Sequence, residues 1–308
     1  DIARHHGARH VTQIALPSSL QSRGDSRTPT ERRRGELLGM PLDFITERET
    51  LAILEDRLSR RQGTWVMTPN LDILRLYHED ASVRPLFATG TGGADLLVAD
   101  GMPLVWASRM AKAGPERHGL PERVPGSGLV FSVAEMAARR GNTIFLLGGE
   151  PGTAERAAAA LRERYPGLKI AGTCCPERGF ENIPERVASI REQLVRARPD
   201  IVYVALGFPK QERLTQALRP FLPRATFLGV GISLSFITGD VRRAPRWMQA
   251  AGLEWAHRMA QEPRRLMSRY LGRDLPFALA HLFPGPVASR FRAREPVPMA
   301  LRDAAEAG

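Results

Sequence analysis

Short polar side chains stand at the ends of two apolar, β-rich stretches of the sequence. Thr68 and Asn70 flank the turn that ends the stretch 64–68, and Asp100 directly follows the stretch 95–99. A carboxylate at the end of a strand can act as a general base, and nearby hydroxyl and amide groups can orient a polar substrate. The same residue types are good N-caps, so capping of the helices that follow is the simpler alternative.

Two glycines follow the apolar stretch 143–147 and lead into an alanine-rich segment. Gly148 and Gly149 would let backbone N–H groups approach a phosphate, whose charge the dipole of the next helix would favour. The stretch 148–153 matches neither the dinucleotide-binding fingerprint nor the P-loop. This stretch therefore predicts either a site that binds a diphosphate or sugar-nucleotide or a plain tight turn.

The turn after the stretch 201–206 carries a cation, an amide and a carboxylate to the start of a helix. Lys210 is one of only three lysines in an arginine-rich chain, which indicates a specific use for an ammonium group there. The alternative for Glu212 is a simple dipole partner in the first helical turn. The candidate sugar-nucleotide-binding residues of this turn are Gly207, Pro209, Lys210 and Glu212, and Gln211 supplies the amide.

The composition excludes several classes of protein. The 308 residues are 43% hydrophobic, and this ordinary composition argues against a coiled coil and a wholly disordered chain. No stretch of 18 or more apolar residues occurs, which argues against a transmembrane helix. The first residues contain no apolar secretory core, and the only two cysteines, Cys174 and Cys175, are adjacent, so we expect a reducing cytoplasm. The histidines and acids show no ligand spacing, so we expect no metal and no cofactor.

These candidate residues must be positioned by a repeating alternation of strands and helices. Six apolar stretches read as short buried strands, at 64–68, 95–99, 143–147, 168–172, 201–206 and 226–230. Helical patterns separate them, at 47–61, 70–79, 103–112, 127–140, 153–165, 184–198 and 210–219. Such alternation predicts an α/β fold with a mostly parallel, Rossmann-like sheet, in which ligands bind beyond the carboxyl ends of the strands.

The sequence predicts four segments along the chain. Residues 1–35 are expected to be a disordered arm, 36–239 the Rossmann-like catalytic domain, 240–275 a basic helical appendage and 276–308 a poorly ordered tail.

The appendage concentrates positive charge. Arginine accounts for nearly all of the net charge of +11, and residues 242–273 contain eight Arg against two acids, a local charge of 8 − 2 = +6. Helices predicted at 244–259 and 263–270 mix arginine with tryptophan, which is typical of a segment that lies on an anionic membrane surface. A helix docked on the sheet with solvated arginines is the alternative.

Five motifs together carry a resemblance to a known family. They are TPN at 68–70, ADG at 99–101, FLLGG at 145–149, GFPKQE at 207–212 and the long run GDVRRAPRWMQAAGLEWAHRMAQEPRRLMSRYL at 239–271. With these motifs, residues 37–271 resemble the WecG/TagA/CpsF glycosyltransferases (glycosyltransferase family 26).

The resemblance implies an inverting, metal-independent transfer of a sugar from a UDP-sugar, with a ManNAc-, ManNAcA- or hexose-type sugar as the group transferred. The acceptor would be a polyprenyl-diphosphate-linked saccharide on the cytoplasmic membrane face, in cell-surface polysaccharide biosynthesis. The resemblance makes Asp100 the general base, with Thr68, Asn70 and Gln211 as further catalytic residues. The appendage arginines that would meet diphosphate and membrane are Arg243, Arg246, Arg258, Arg265 and Arg269.

A basic α/β module that binds nucleotides or nucleic acid without transferase activity is the alternative from another class. The charge of +11 favours it, but it leaves Asp100 and the motif at 207–212 without a role. We therefore expect a peripheral membrane glycosyltransferase with no nucleic-acid partner. A scaffold derived from the family is a third reading, which the presence of Asp100, Asn70 and Gln211 argues against.

Overall fold

The structure is a computed structural model, and it describes residues 31–88, 92–110, 119–245, 247–248, 253–282, 291–293 and 297–298. The described strands are β1 (Glu31–Arg32), β2 (Arg34–Leu37), β3 (Met40–Asp43), β4 (Thr64–Met67), β5 (Leu96–Leu97), β6 (Thr143–Gly148), β7 (Lys169–Cys174), β8 (Ile201–Ala205), β9 (Thr226–Gly229), β10 (Phe291–Ala293) and β11 (Val297–Pro298). The described helices are α1 (Glu47–Ser59), α2 (Leu71–Glu79), α3 (Met102–Met110), α4 (Gly126–Arg140), α5 (Thr153–Arg164), α6 (Pro184–Ala197), α7 (Lys210–Leu218), α8 (Ser233–Ile237), α9 (Glu254–Gln261), α10 (Pro263–Arg269) and α11 (Leu275–His281). Short 3₁₀ turns lie at Ala81–Phe87, Phe180–Asn182 and Arg219–Phe221, and a π turn at Tyr270–Asp274 joins α10 to α11.

A six-stranded parallel sheet forms the centre of the molecule. Its strand order is β5-β4-β9-β8-β6-β7, and every neighbouring pair is parallel. The four central strands are almost wholly buried, which explains why they read as continuous apolar runs and not as an alternating pattern. The predicted Rossmann-like α/β fold with its six strands is confirmed.

Helices cover both faces of this sheet, and each face has its own apolar core. Successive strand residues point to opposite faces, so Trp65 and Met67 enter one core while Val66 enters the other. The first core includes residues from α2, α3, α6 and α7, and the second includes residues from α1, α4 and α5. The strand ends that carry the candidate residues thus project from a rigid framework.

A buried ion pair fixes the position of the short edge strand β5. The Arg34 guanidinium donates to both carboxylate oxygens of Asp43, at 2.8 and 2.9 Å, and both side chains are buried. The same Asp43 carboxylate accepts the backbone N–H of Leu97 at 2.8 Å. Because β5 has only two residues, this contact from β3 supplements its ladder bonds and aligns the chain that leads to Asp100.

The C-terminal region differs from the sequence prediction in two places. Instead of one helix over 244–259, residues 242–245 are irregular, residues 247–248 are helical, and α9 begins at Glu254 after the N-cap Leu253. Pro245 disfavours helical backbone at the preceding residue, so the helix does not begin at Ala244 as predicted.

The first residues of the expected disordered tail form α11. Phe277 and Ala278 of this helix and Leu282 directly after it are buried in the first core. Strand β10 pairs antiparallel with β2, and β11 with β1. Residues 1–30 of the expected arm and 283–290, 294–296 and 299–308 of the tail lie outside the described residues.

Candidate active site

The carboxyl ends of β4, β5, β8 and β9 meet at one edge of the sheet, as the strand order requires. Asp100 lies beside the turn after β4, since its backbone N–H donates to the Pro69 carbonyl at 2.7 Å. The hydroxyl of Thr68 donates to the Gly229 carbonyl of β9 at 3.4 Å. Residues from distant parts of the sequence therefore meet at this edge of the sheet, where the sequence predicts the ligand to bind. We call the place around Asp100 and Thr68 the crevice.

Asp100 sits in a partly buried position with charged groups around it. Desolvation raises the pKa of its carboxyl group to about 6, and the negative charge of Glu254 acts in the same direction. The positive charges of Arg123 and Arg258 and a hydrogen bond from the Gly126 backbone oppose this rise. A carboxylate with a pKa near 6 is mostly ionised at neutral pH and is more basic than an exposed one, as a general base requires.

Asn70 is the N-cap of α2, so the simpler of the two predictions for this residue, helix capping, is confirmed. Its side-chain oxygen accepts the backbone N–H of Ile73 at 3.1 Å. This bond fixes the amide at the mouth of the crevice, so capping and substrate orientation are compatible uses of one side chain. The catalytic roles of Thr68 and Asn70 stay predictions.

Gln211 lies deeper than a substrate-binding residue is expected to lie. Its side chain is only 5% exposed, and its oxygen accepts the backbone N–H groups of Gly207 and Gly231, both at 3.2 Å. Its amide nitrogen donates to Glu212 at 2.7 Å. Gln211 thus ties the turn after β8 to the turn after β9, and its direct contact with a substrate stays a prediction.

Glu212 is a buried carboxyl group beneath the same turns. It is 2% exposed, and desolvation raises its pKa to about 7 against the opposing hydrogen bond from Gln211. Its second oxygen has no hydrogen-bond partner among the described residues. A surface dipole partner would be ionised and solvated, so the simple alternative that the sequence offered for Glu212 does not describe its environment.

Lys210 points toward the 3₁₀ turn after β7. Its ammonium group pairs with Glu181 at 2.5 Å and lies 5.8 Å from the centroid of the Phe180 ring. Lys210 stays partly exposed at the rim of the crevice. Gly207 has a φ of +76°, and the Phe208–Pro209 peptide bond is cis. The donor-binding roles of Gly207, Pro209 and Lys210 stay predictions.

The glycine pair after β6 has a clear packing role. A Cβ atom on Gly148 would lie 2.4 Å from the Ala205 carbonyl oxygen, so only glycine lets β6 and β8 approach at this point. Gly149 donates its backbone N–H to the same oxygen at 2.9 Å. These contacts establish the tight turn, and diphosphate binding by Gly148 and Gly149 stays a prediction.

The predicted appendage arginines occupy two different places. The positive charge of Arg258 lowers the pKa of Asp100, so Arg258 lies at the crevice. Arg243 also lies there, 4.0 Å from the Glu254 carboxylate and 3.4 Å from the Ser127 hydroxyl. Arg269 instead lies beside α2, 3.7 Å from Asp72, and donates to the Tyr270 hydroxyl at 3.0 Å. Arg246 and the side chain of Arg265 lie outside the described residues.

Arg269 belongs to a cluster that holds the appendage on the catalytic core. The Arg75 side chain, which is buried, pairs with Asp72 at 2.6 Å on its own helix and with Asp274 of the π turn at 3.2 Å. Desolvation raises the pKa of Asp274 to about 6, and the nearby Asp72 charge adds to this effect. The geometry indicates a structural role for this cluster, and the predicted diphosphate contact of Arg269 stays untested.

Sequence reasoning missed Arg123 and Glu254. The Arg123 guanidinium contacts the Glu254 carboxylate at 2.6 Å, and both charges act on Asp100. Glu254 stands in the long motif at 239–271 and Arg123 two residues before Pro125, which precedes α4. Their separation of 131 residues hides the contact from any local pattern.

The described residues offer neither a metal-ion site nor a membrane-spanning helix. No group of three or more His, Cys, Asp or Glu side chains in the described part could hold a metal ion. None of the helices among those residues has both the length and the apolar character needed to cross a membrane.

Comparison with known proteins identifies the family. A model of the Glycosyl transferase WecG/TagA/CpsF family matches residues 35–286. A curated N-acetylglucosaminyldiphosphoundecaprenol N-acetyl-beta-D-mannosaminyltransferase of Bacillus subtilis (strain 168) is 31% identical over 172 residues, which cover 56% of this chain and 63% of the relative. The match thus spans less than two thirds of that relative's length. Because the family model covers most of the sequence, the chain belongs to the WecG/TagA/CpsF family of glycosyl transferases.

Proposed function

We propose that this chain is an inverting, metal-independent glycosyltransferase that moves a sugar from a UDP-sugar to a polyprenyl-diphosphate-linked saccharide. The observation that carries the proposal is the position of Asp100, a carboxylate at the sheet edge with a pKa raised to about 6 and arginines nearby. The name of the Bacillus subtilis relative specifies transfer of N-acetylmannosamine to N-acetylglucosaminyl-diphospho-undecaprenol. We take that pair as the first donor sugar and acceptor to test.

The reaction would be a single displacement. Asp100 would take the proton from an acceptor hydroxyl while that oxygen forms its bond to C1 of the donor sugar. The bond from C1 to the UDP oxygen would break on the opposite face, so the anomeric centre would invert. Thr68 and Asn70 would hold the donor sugar by hydrogen bonds from the turn after β4.

The departing diphosphate would need positive charge, and the arginines at the crevice can supply it. Arg243 and Arg258 are partly buried, and the Nε atom of each has no hydrogen-bond partner among the described residues. Such unsatisfied donors in a desolvated place bind an anion strongly, since hydrogen bonds between charged groups are stronger than neutral ones. This favours a mechanism in which arginines take the part that a divalent metal plays elsewhere.

The appendage would bring the crevice to the lipid-linked acceptor on the cytoplasmic face of the membrane. Among the described residues, six of the twelve exposed large apolar side chains lie in the appendage, and a seventh, Leu279, lies just after it; the six are Trp247, Leu253, Trp255, Met267, Leu271 and Leu275. The side chains of Arg242, Arg264 and Arg273 are exposed beside them. Apolar side chains that enter the headgroup region and arginines that attract anionic lipid together favour an interfacial role.

The test is release of UDP from a panel of UDP-sugars in EDTA, with and without polyprenyl-diphosphate-GlcNAc in vesicles. We expect release from one donor only when the acceptor is present. Failure to bind UDP at all would contradict the proposal, and steep salt-dependent binding of DNA or RNA in its place would favour the nucleic-acid-binding module. Trp247→Glu should weaken vesicle binding, whereas Phe221→Glu, which changes an exposed aromatic residue outside the appendage, should not.

A further inference from the structure

Glu254, the first residue of α9, is held between two arginines from other segments. Its carboxylate contacts Arg123 at 2.6 Å and lies 4.0 Å from the Nε atom of Arg243. The Arg123 and Glu254 side chains are 15% and 12% exposed, so water screens this ion pair only weakly. The pair connects the appendage to the loop before α4.

This ion pair lies next to Asp100. The residue after Arg123, Val124, donates its backbone N–H to the carbonyl of Ala99 at 2.8 Å, so the loop before α4 runs beside the end of β5. Three charged side chains act on the Asp100 carboxylate: Arg123 from this loop, and Glu254 and Arg258 from α9. The backbone N–H of Gly126 at the start of α4 also donates to it.

The charge of Arg123 lowers the pKa of Asp100, but the ion pair of Arg123 is with Glu254. A direct ion pair with Asp100 would stabilise the ionised form of that carboxylate and weaken it as a base, by about 1–3 pH units for an opposite charge in contact. It would also occupy an oxygen that must receive the proton of the acceptor hydroxyl. The contact with Glu254 limits the first effect to a charge interaction without a direct ion pair and avoids the second, while keeping Arg123 close to the crevice.

We infer that Glu254 is a positioning residue for the general base, which holds the Arg123 guanidinium away from Asp100 and so keeps the Asp100 carboxylate free to accept a proton. The inference rests on the proposed function, because it assigns the proton transfer to Asp100. Glu254 does not touch the substrate in this scheme and acts only through Arg123 and through its own charge. The appendage therefore tunes the base as well as covering the crevice.

The experiment measures titration of Asp100 in two independent ways in the full-length protein. Carboxyl ¹³C NMR follows the Asp100 resonance, assigned by its loss in Asp100→Asn, and a pH–rate profile follows turnover. In Glu254→Gln we expect the Asp100 titration and the acidic limb of the profile to move together to lower pH, by about one unit. Turnover on the plateau should fall several-fold because the base is weaker.

Two further variants separate positioning from a structural role. Glu254→Asp keeps the charge, so Asp100 should titrate at nearly the wild-type pH in that variant. Glu192→Gln removes an exposed carboxylate on α6 and should leave the titration of Asp100 unchanged. A lower rate at every pH with an unmoved limb and unmoved NMR titration would overturn the inference and leave Glu254 as a docking contact. If the NMR titration moves but no donor is turned over by any variant, the inference about Glu254 and Arg123 holds and the proposed function fails.

Discussion

Asp100 and Glu212 are two carboxyl groups that follow strands at the same edge of the sheet, and their surroundings differ. Burial raises the pKa of both, to about 6 for Asp100 and to about 7 for Glu212. Asp100 is partly exposed and has charged side chains from two other segments around it. Glu212 is 2% exposed, and its hydrogen-bond partner is the neighbouring side chain of Gln211.

The difference shows that a raised pKa alone does not identify a catalytic group. Desolvation is the main cause in both cases, but of the two groups only Asp100 is partly exposed and has arginine charges near enough to affect its pKa. Glu212 orients the Gln211 amide, whose oxygen then accepts two backbone N–H groups from the turns after β8 and β9. One carboxyl group is suited to chemistry, and the other stabilises the framework that positions it.

The largest expected effect comes from Asp100→Asn. We expect turnover to fall by about 10²–10⁴, the usual contribution of a general base, while UDP binding is retained. The variant should unfold no more easily than the wild type, because a neutral amide avoids the desolvation cost that raises the pKa of Asp100. Steady-state turnover and thermal unfolding check the two parts.

Asp56→Asn is the matched control for this change, since it removes a carboxylate on α1 that pairs with Arg60 at the surface. It should leave turnover unchanged. In the wild type, turnover should rise as Asp100 ionises around pH 6 and level off above it. Near-normal turnover in Asp100→Asn would remove Asp100 from the role of base and with it the contrast to Glu212.

A smaller effect, on stability, is expected from Glu212→Ala. Loss of the carboxyl group leaves the buried Gln211 amide nitrogen without its acceptor, which costs about 1–3 kcal/mol in the free energy of unfolding. Urea unfolding measures this cost. An unchanged unfolding midpoint with strongly reduced turnover would show instead that Glu212 acts in the chemistry.

Glu212 should also make stability depend on pH in a defined direction. Its pKa rises from 4.5 in the unfolded chain to about 7 in the fold, so the folded state binds the proton more tightly. The tighter proton binding adds about 3 kcal/mol to the free energy of unfolding. This added stability is fully present below pH 4.5 and is lost as the pH rises through 7. Glu212→Gln should remove that dependence, which the difference between the two unfolding curves at pH 5 and pH 8 reveals.

The smallest expected effect concerns Lys210 at the rim. Lys210→Met should raise the KM for the UDP-sugar about fivefold, because a partly exposed charge contact contributes up to about 1 kcal/mol. Glu181→Gln removes the partner of Lys210 and should leave that KM unchanged or lower it. Equal increases in KM for both variants would assign Lys210 to the ion pair and not to the donor.

Much of the fold and the place of Asp100 in it could be predicted from the sequence. The six buried strands are apolar runs bounded by turn residues, and this local signal is sufficient to predict a parallel sheet. The same pattern predicts that Asp100 directly follows a strand. Asp100 is a candidate for function because ligands of such sheets bind at the carboxyl ends of the strands. The burial of Phe277 and Leu282 was missed because the alanine- and proline-rich surroundings resemble a disordered tail.

The sequence by itself determined the sheet, its functional edge and the motif residues that stand there, since strand periodicity and turn chemistry are local properties. Only the tertiary structure decided which of these residues are exposed to a substrate and which are buried. Gln211 and Glu212 are neighbours of Lys210 in one motif, yet helix geometry turns them inward and leaves the lysine at the rim. The ion pair of Arg123 with Glu254 joins residues 131 positions apart, and such a contact exists only once the appendage folds back over the end of β5.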